Sequence, residues 1–149
     1  MRDIFRQIIV FLGTLAVIAV NALASVLPLN GLTTGEISDR FDVKFVPAGW
    51  VFAIWGLIYL ALLAYSVYQA LPGQRENPRL RRIGWFYVLS CVANIAWIFL
   101  WHYEYFEFTL IAMGALLLLL IAIYLRLGTG RTHVRGAETW LVRVPFSIY

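Results

Sequence analysis

Long apolar runs alternate with short polar connections along this chain, and the length of each run sets the architecture. A helix rises about 1.5 Å per residue, so about 20 apolar residues are needed to cross about 30 Å of hydrocarbon. Four runs reach that length: Ile8 to Leu27, Trp50 to Leu71, Ile83 to Trp101 and Phe108 to Leu125, none containing Asp, Glu, Lys or Arg. A fifth apolar run begins near Trp140 and stops with the sequence at Tyr149. The pattern predicts an all-α integral membrane protein, a single transmembrane domain over 1–149 with four transmembrane helices and the start of a fifth. Because the pattern stops partway through a span, we expect the fifth helix to continue in a longer chain.

Composition supports a lipid solvent. Of 149 residues, 62% are hydrophobic and 13% charged, against roughly 45–50% and about 25% in soluble domains. The net charge of +4 lies in short clusters flanking the apolar runs, which excludes a basic nucleic-acid face and makes the charge a topology signal. Arg2 and Arg6, then Arg75, Arg79, Arg81 and Arg82, then Arg126, Arg131, Arg135 and Arg143 fall on one side. Only Arg40 and Lys44 fall on the other. The excess of positive charge marks the cytoplasmic side, so the N-terminus is expected in the cytoplasm and the chain in the cell membrane. Arg2, Arg6 and the Ala22-Leu23-Ala24 sequence also resemble a cleavable signal peptide. The run is long enough to span and continues through Val26 and Leu27, which favours a retained helix.

The connections differ in kind. His102 to Glu107 is short and makes the third and fourth spans an antiparallel hairpin, whereas Gln74 to Arg82 reads as a solvated, Pro-interrupted linker. Pro28 to Gly49 is longer than a connection requires and carries Phe41, Val43, Phe45 and Val46 beside charged neighbours. It reads either as a lid over a binding site or as a plain external connection.

Polar groups within hydrocarbon need partners inside the bundle. Thr14, Asn21 and Ser25 share one stripe of the first span, and Ser90, Asn94, Trp97 and Trp101 share one of the third. Asn21 and Asn94 are expected to meet across the helices, as structural glue or as ligand contacts. On the second span Phe52, Trp55 and Tyr59 follow Trp50 at spacings of three and four. Trp50 suits the interfacial belt, but Tyr59 lies about 14 Å deeper at 1.5 Å per residue, where a phenol needs a partner or a cavity. Two aromatic stripes under one long external loop fit a pocket for a flat apolar ligand, or else plain helix packing.

Acid, base and metal chemistry have few candidates. No ionised side chain lies within the four spanning runs, His102 and His133 fall on opposite sides, and lone Cys91 has no disulfide partner. No enzyme activity, metal or required cofactor is expected.

The stretch Pro47-Ala48-Gly49-Trp50-Val51-Phe52-Ala53-Ile54-Trp55-Gly56-Leu57-Ile58-Tyr59 resembles the second-helix signature of the tryptophan-rich sensory protein family (TspO/MBR), also called the translocator protein or peripheral benzodiazepine receptor family. Leu89 to Trp101, with Asn94 and Trp97, resembles its third helix, and Pro145 to Tyr149 the beginning of its fifth. The chain departs from the family at Ala53-Ile54, where a Gly-Pro pair is common. The resemblance implies a five-helix bundle, often a homodimer, that binds tetrapyrroles such as protoporphyrin or, in some members, sterols. It also implies a ligand pocket lined by Trp50, Phe52, Trp55, Tyr59, Asn94 and Trp97. The expectation is a membrane ligand-binding or sensory protein; the alternative is a small transporter or channel for a neutral solute. Light-dependent porphyrin degradation, linked to some members, is a weaker third reading.

Overall fold

A computed structural model describes residues 2–27, 29–32, 34–38, 40, 53–134 and 136–149. Its elements are α1 (Arg2–Val26), the short α2 (Thr34–Ser38), α3 (Ala53–Ala70), α4 (Pro78–His102) and α5 (Phe106–Leu127). A C-terminal segment follows, made of α6 (Gly136–Glu138), a π-helical turn (Thr139–Arg143) and α7 (Val144–Ile148). Among the described residues, α1, α4 and α5 are long and apolar enough to cross a membrane, and Ile54–Ala70 is a shorter apolar helix.

The helices outrun the charge-free runs that predicted them. α1 starts at Arg2 rather than Ile8 and α4 at Pro78 rather than Ile83. The expected linker therefore ends at Asn77, whose side chain accepts a hydrogen bond from the Arg79 amide at 3.0 Å while Pro78 takes the first helical position. A side-chain acceptor and a proline without an N–H both suit the unpaired amides of a helix start. At the other end α4 runs through His102, so the connection to α5 shrinks to Tyr103–Tyr105. It closes with Tyr105 N–H donating to Leu100 O and Glu104 N–H to Trp101 O, and Glu104 takes φ +61°. α5 ends on Gly128 at φ +60°, the left-handed position that glycine occupies without the Cβ penalty.

Buried positions repeat in heptads. On α1 the repeat is Gln7, Val10, Thr14, Val17, Asn21 and Ala24, and on α3 Ile58, Leu62, Tyr65 and Gln69, with Arg6 and Ser66 buried beside these stripes. Spacings of three and four that sum to seven are those of near-parallel helices packed in left-handed bundles. α1 packs on both α3 and α4, α4 on α5, and the C-terminal segment on α3 and α5, which closes a ring of five elements. Its centre is filled by Tyr65, Tyr87 and Phe146, whose rings meet edge to face at 4.8 to 5.5 Å. The outer faces remain apolar, with Leu110 on α5 76% exposed. Such a surface suits hydrocarbon rather than water.

Charged groups enter the bundle where none was expected. Arg6 is 4% exposed, Glu138 7% and Arg143 8%. The Arg6 side chain lies across Gly84 of α4, where an added Cβ would come within 2.8 Å of Arg6 Cδ. Arg6 cannot swing aside freely, because its Nη2 donates to Arg75 O at 3.0 Å. We therefore expect Gly84→Ala to destabilise the α1–α4 contact by about 1–3 kcal/mol, the range for overpacking a filled site. Thermal unfolding in detergent checks this, and an unchanged midpoint would contradict the contact.

Candidate functional site

The polar stripes of α1 and α4 meet in the middle of the bundle. Asn21 Nδ2 donates to Asn94 Oδ1 at 2.8 Å, and Asn94 Nδ2 donates to the Tyr149 hydroxyl at 3.1 Å. One amide thus joins α1, α4 and the C-terminal segment. Asn94 is fully buried and its two polar atoms are both used, which is what a low-dielectric site demands of an amide. A second joint lies two helical turns away, where the Thr14 and Tyr87 hydroxyls are 2.8 Å apart. A third links α1 to α3: Gln7 Nε2 donates to Gln69 O at 2.6 Å, and Gln69 Nε2 to Gln7 O at 3.0 Å. Gln7, Thr14 and Asn21 stand seven residues apart, so the heptad that buries α1 also places its polar joints.

The aromatic stripe of α3 flanks this chain. Trp55 and Tyr59 are half-buried and stacked, with ring centroids 6.2 Å apart and planes at 30°. Tyr59 and Tyr149 both pack against the buried core that contains Cys91, and α7 contacts α3. Trp97 is half-buried on α4, and the described ring contacts do not join it to Trp55 or Tyr59. Trp50 and Phe52 lie outside the described residues. Three expected stripe positions, Ser25, Trp97 and Trp101, are corrected. Ser25 is exposed and donates back to Asn21 O at 2.9 Å. The buried face of α4 continues from Asn94 through Ile98 and His102, with Trp97 and Trp101 on its flank. The drift arises because a straight helix turns 100° per residue, so steps of four carry a stripe around the axis.

His102, expected in an external turn, is 0% exposed. Its Nδ1 lies 2.8 Å from Ile98 O, and its Nε2 is 3.3 Å from the Thr34 hydroxyl. Thr34 also donates to Ala24 O at 3.2 Å, and Asn30 Nδ2 to His102 O at 3.2 Å. With Ile37 fully buried, the described first part of the long loop is packed onto the C-terminal ends of α1 and α4. An ion pair of 2.6 Å between Arg40 and Glu104 ties it to the α4–α5 turn. Of the long connection, residues 29–32, 34–38 and 40 are thus held against α1 and α4, while 28, 33, 39 and 41–49 lie outside the described residues. A histidine beside an aromatic run gives no hint in sequence that a threonine 68 residues earlier will cover it.

Three cavities lie away from the aromatic stripe. One of about 360 Å³ is an apolar groove on the outside of α3 near Leu141. One of about 380 Å³ lies between α1 and α4 at Arg6, and one of about 300 Å³ beside Arg143. No group of three or more His, Cys, Asp or Glu residues able to hold a metal occurs among the described residues.

A family model described as TSPO-like protein matches residues 7–149. The chain belongs to the TSPO-like family. Among curated proteins and among solved structures, nothing matches the chain significantly. The family match spans every polar joint described above, from Gln7 to Tyr149. A TSPO-like membership and apolar helices make this an integral membrane protein, and point to a ligand-binding or sensory role in the membrane.

Proposed function

We propose that this TSPO-like protein binds a flat, apolar, tetrapyrrole-like molecule between its helices, beneath the loop that follows α1. The observation that carries the reading is that the stacked Trp55–Tyr59 pair and Tyr149, which accepts from Asn94, pack against one buried core. Aromatic walls supply stacking and burial, and a few polar groups set orientation. Trp97, Trp50 and Phe52 would complete the walls. The protein acts by binding and needs no cofactor. α3 would be the fourth span, with the N-terminus on the cytoplasmic side of the cell membrane. A homodimer and a sterol-like ligand follow from the resemblance alone.

Titration of the purified chain with protoporphyrin, read by Trp fluorescence, tests the reading. Saturable quenching is expected, and in a Trp55→Leu, Trp97→Leu double variant it should weaken at least about tenfold in affinity, equivalent to about 1.4 kcal/mol. Unsaturable quenching, or the same curve in the double variant, would overturn the assignment. Solute uptake by proteoliposomes would favour transport instead, and loss of porphyrin absorbance under light would favour degradation.

A further inference from the structure

The cavity between the Arg-rich ends of α1 and α4 is unrelated to the aromatic stripe and combines three chemistries. Its lining is Arg2, Asp3, Phe5, Arg6, Arg81 and Trp85. The charges leave a surplus of two positives. Asp3 accepts from Arg81 through Nε at 2.8 Å and Nη2 at 2.7 Å, and stands 3.7 Å from Arg6 Nη2. One carboxylate therefore serves two guanidiniums, and among the described residues Arg2 has no ion-pair partner. Arg6 is more than nine-tenths buried, and its Nε has no hydrogen-bond acceptor. A buried guanidinium with an unused donor is costly unless an acceptor arrives.

The walls are apolar and face outward. Phe5 is 56% exposed and Trp85 50%, with ring centroids 6.4 Å apart. Beyond them the outer faces continue at helical spacing with Ile8 and Leu12 on α1 and Leu89 and Val92 on α4, all exposed. A cationic pocket at the charged end of the bundle thus opens onto an apolar track parallel to the helices. Aromatic rings at that level match the bilayer interface.

We propose that this groove is a binding site for an anionic phospholipid, with the phosphate among Arg2, Arg6 and Arg81 and an acyl chain along the track beyond Phe5 and Trp85. Basic pockets between helices at the membrane surface take anionic head groups in this way. A zwitterionic lipid would leave the surplus charge uncompensated, and a free phosphate ester would leave the two rings and the track unused. Asp3 is the internal competitor: it occupies the face of Arg81 that a phosphate would otherwise take. The site is independent of the porphyrin reading.

Native mass spectrometry of the full chain, released from nanodiscs of mixed phosphatidylglycerol and phosphatidylcholine, tests it. Phosphatidylglycerol should be retained in preference to phosphatidylcholine. Arg2→Gln should cut that retention about fivefold, the equivalent of about 1 kcal/mol for one surface cation. Asp3→Asn should raise it, a gain that damage to the fold could not mimic. Equal retention of the two lipids, no change in Arg2→Gln, or a loss in Asp3→Asn would overturn the site. Displacement by soluble glycerol phosphate as effective as by phosphatidylglycerol would overturn the lipid assignment.

Discussion

Replacing Arg143 by methionine should lower the thermal midpoint of the protein in detergent by on the order of 10 °C. Arg143 Nη2 donates to Leu127 O at 3.2 Å and to the Thr132 hydroxyl at 2.5 Å, while Nη1 donates to Thr132 O at 2.5 Å. One guanidinium therefore caps the last turn of α5 and holds the loop after it against the π-helical turn. A cation at a helix C-terminus also meets the negative end of the helix dipole. Methionine fills similar space but supplies no donor, so the buried Leu127 carbonyl loses its partner, while the acceptors of exposed Thr132 turn to water. A buried acceptor left unsatisfied costs about 1–3 kcal/mol, and a loss near 3 kcal/mol, the upper end, corresponds to a shift of about 6–12 °C for a chain of this size. Arg143→Lys should recover less than half of the loss, because a single ammonium cannot reach three acceptors arranged for a planar fork. Cys91, the lone cysteine and 4% exposed, offers the readout, since a thiol-reactive dye labels it only on unfolding. A midpoint within about 2 °C of the parent would show that solvent caps α5 equally well.

Arg143 also shows where reading the sequence stops. The charge-free criterion identifies hydrocarbon-length runs, and it placed α1, α4 and α5 correctly in the middle of each span. It fails at the ends, because a helix does not stop where lipid tails stop. Arg6 and Glu138 continue helical geometry beyond the apolar runs and Arg143 lies within the fifth; all three turn inward to backbone carbonyls or to a partner charge, as in the 3.2 Å pair of Arg79 with Glu138. A long guanidinium stem can lie along a packed helix while its head finds acceptors at the interface, so sequence position alone does not tell a solvated Arg82 from a buried Arg6.

The interior polar joints were legible to the extent that they obey helical spacing. Thr14 and Asn21 lie on the expected stripe, and Asn21 meets Asn94 as expected. Gln7 and Gln69 belong to the same pattern, but they sit close to the charged ends and read as interfacial. His102 was hidden for a different reason. Its burial depends on Thr34 and Asn30, which a left-handed turn at Asn30-Gly31, with φ of +54° and +83°, brings back over α1. Contacts made by a loop across 68 or 72 residues leave no periodic trace.

Asn94→Leu separates the two roles that the sequence left open for this residue. If Asn94 both joins helices and orients a ligand, the variant should lose about tenfold or more in protoporphyrin affinity, about 1.4 kcal/mol, and about 1–2 kcal/mol in stability. The stability loss is modest because Asn21 Nδ2 keeps its bond to Val17 O at 2.9 Å, leaving chiefly the Tyr149 hydroxyl without its donor. Interhelical hydrogen bonds in membranes contribute about 0.6 kcal/mol on average and up to about 1.7, so a double-mutant cycle of Asn21→Ala with Asn94→Leu should give a coupling in that range. Adding Tyr149→Phe removes the stranded hydroxyl and should restore part of the stability. It should leave ligand affinity low, because the polar group that orients the ligand is still absent. Restoration of both by the second substitution would mean that Asn94 acts only by holding Tyr149 and the C-terminal segment in place. Undiminished affinity in Asn94→Leu would mean that the Trp55–Tyr59 wall suffices to hold the ligand, and that the buried amide exists to join α1, α4 and the C-terminal segment.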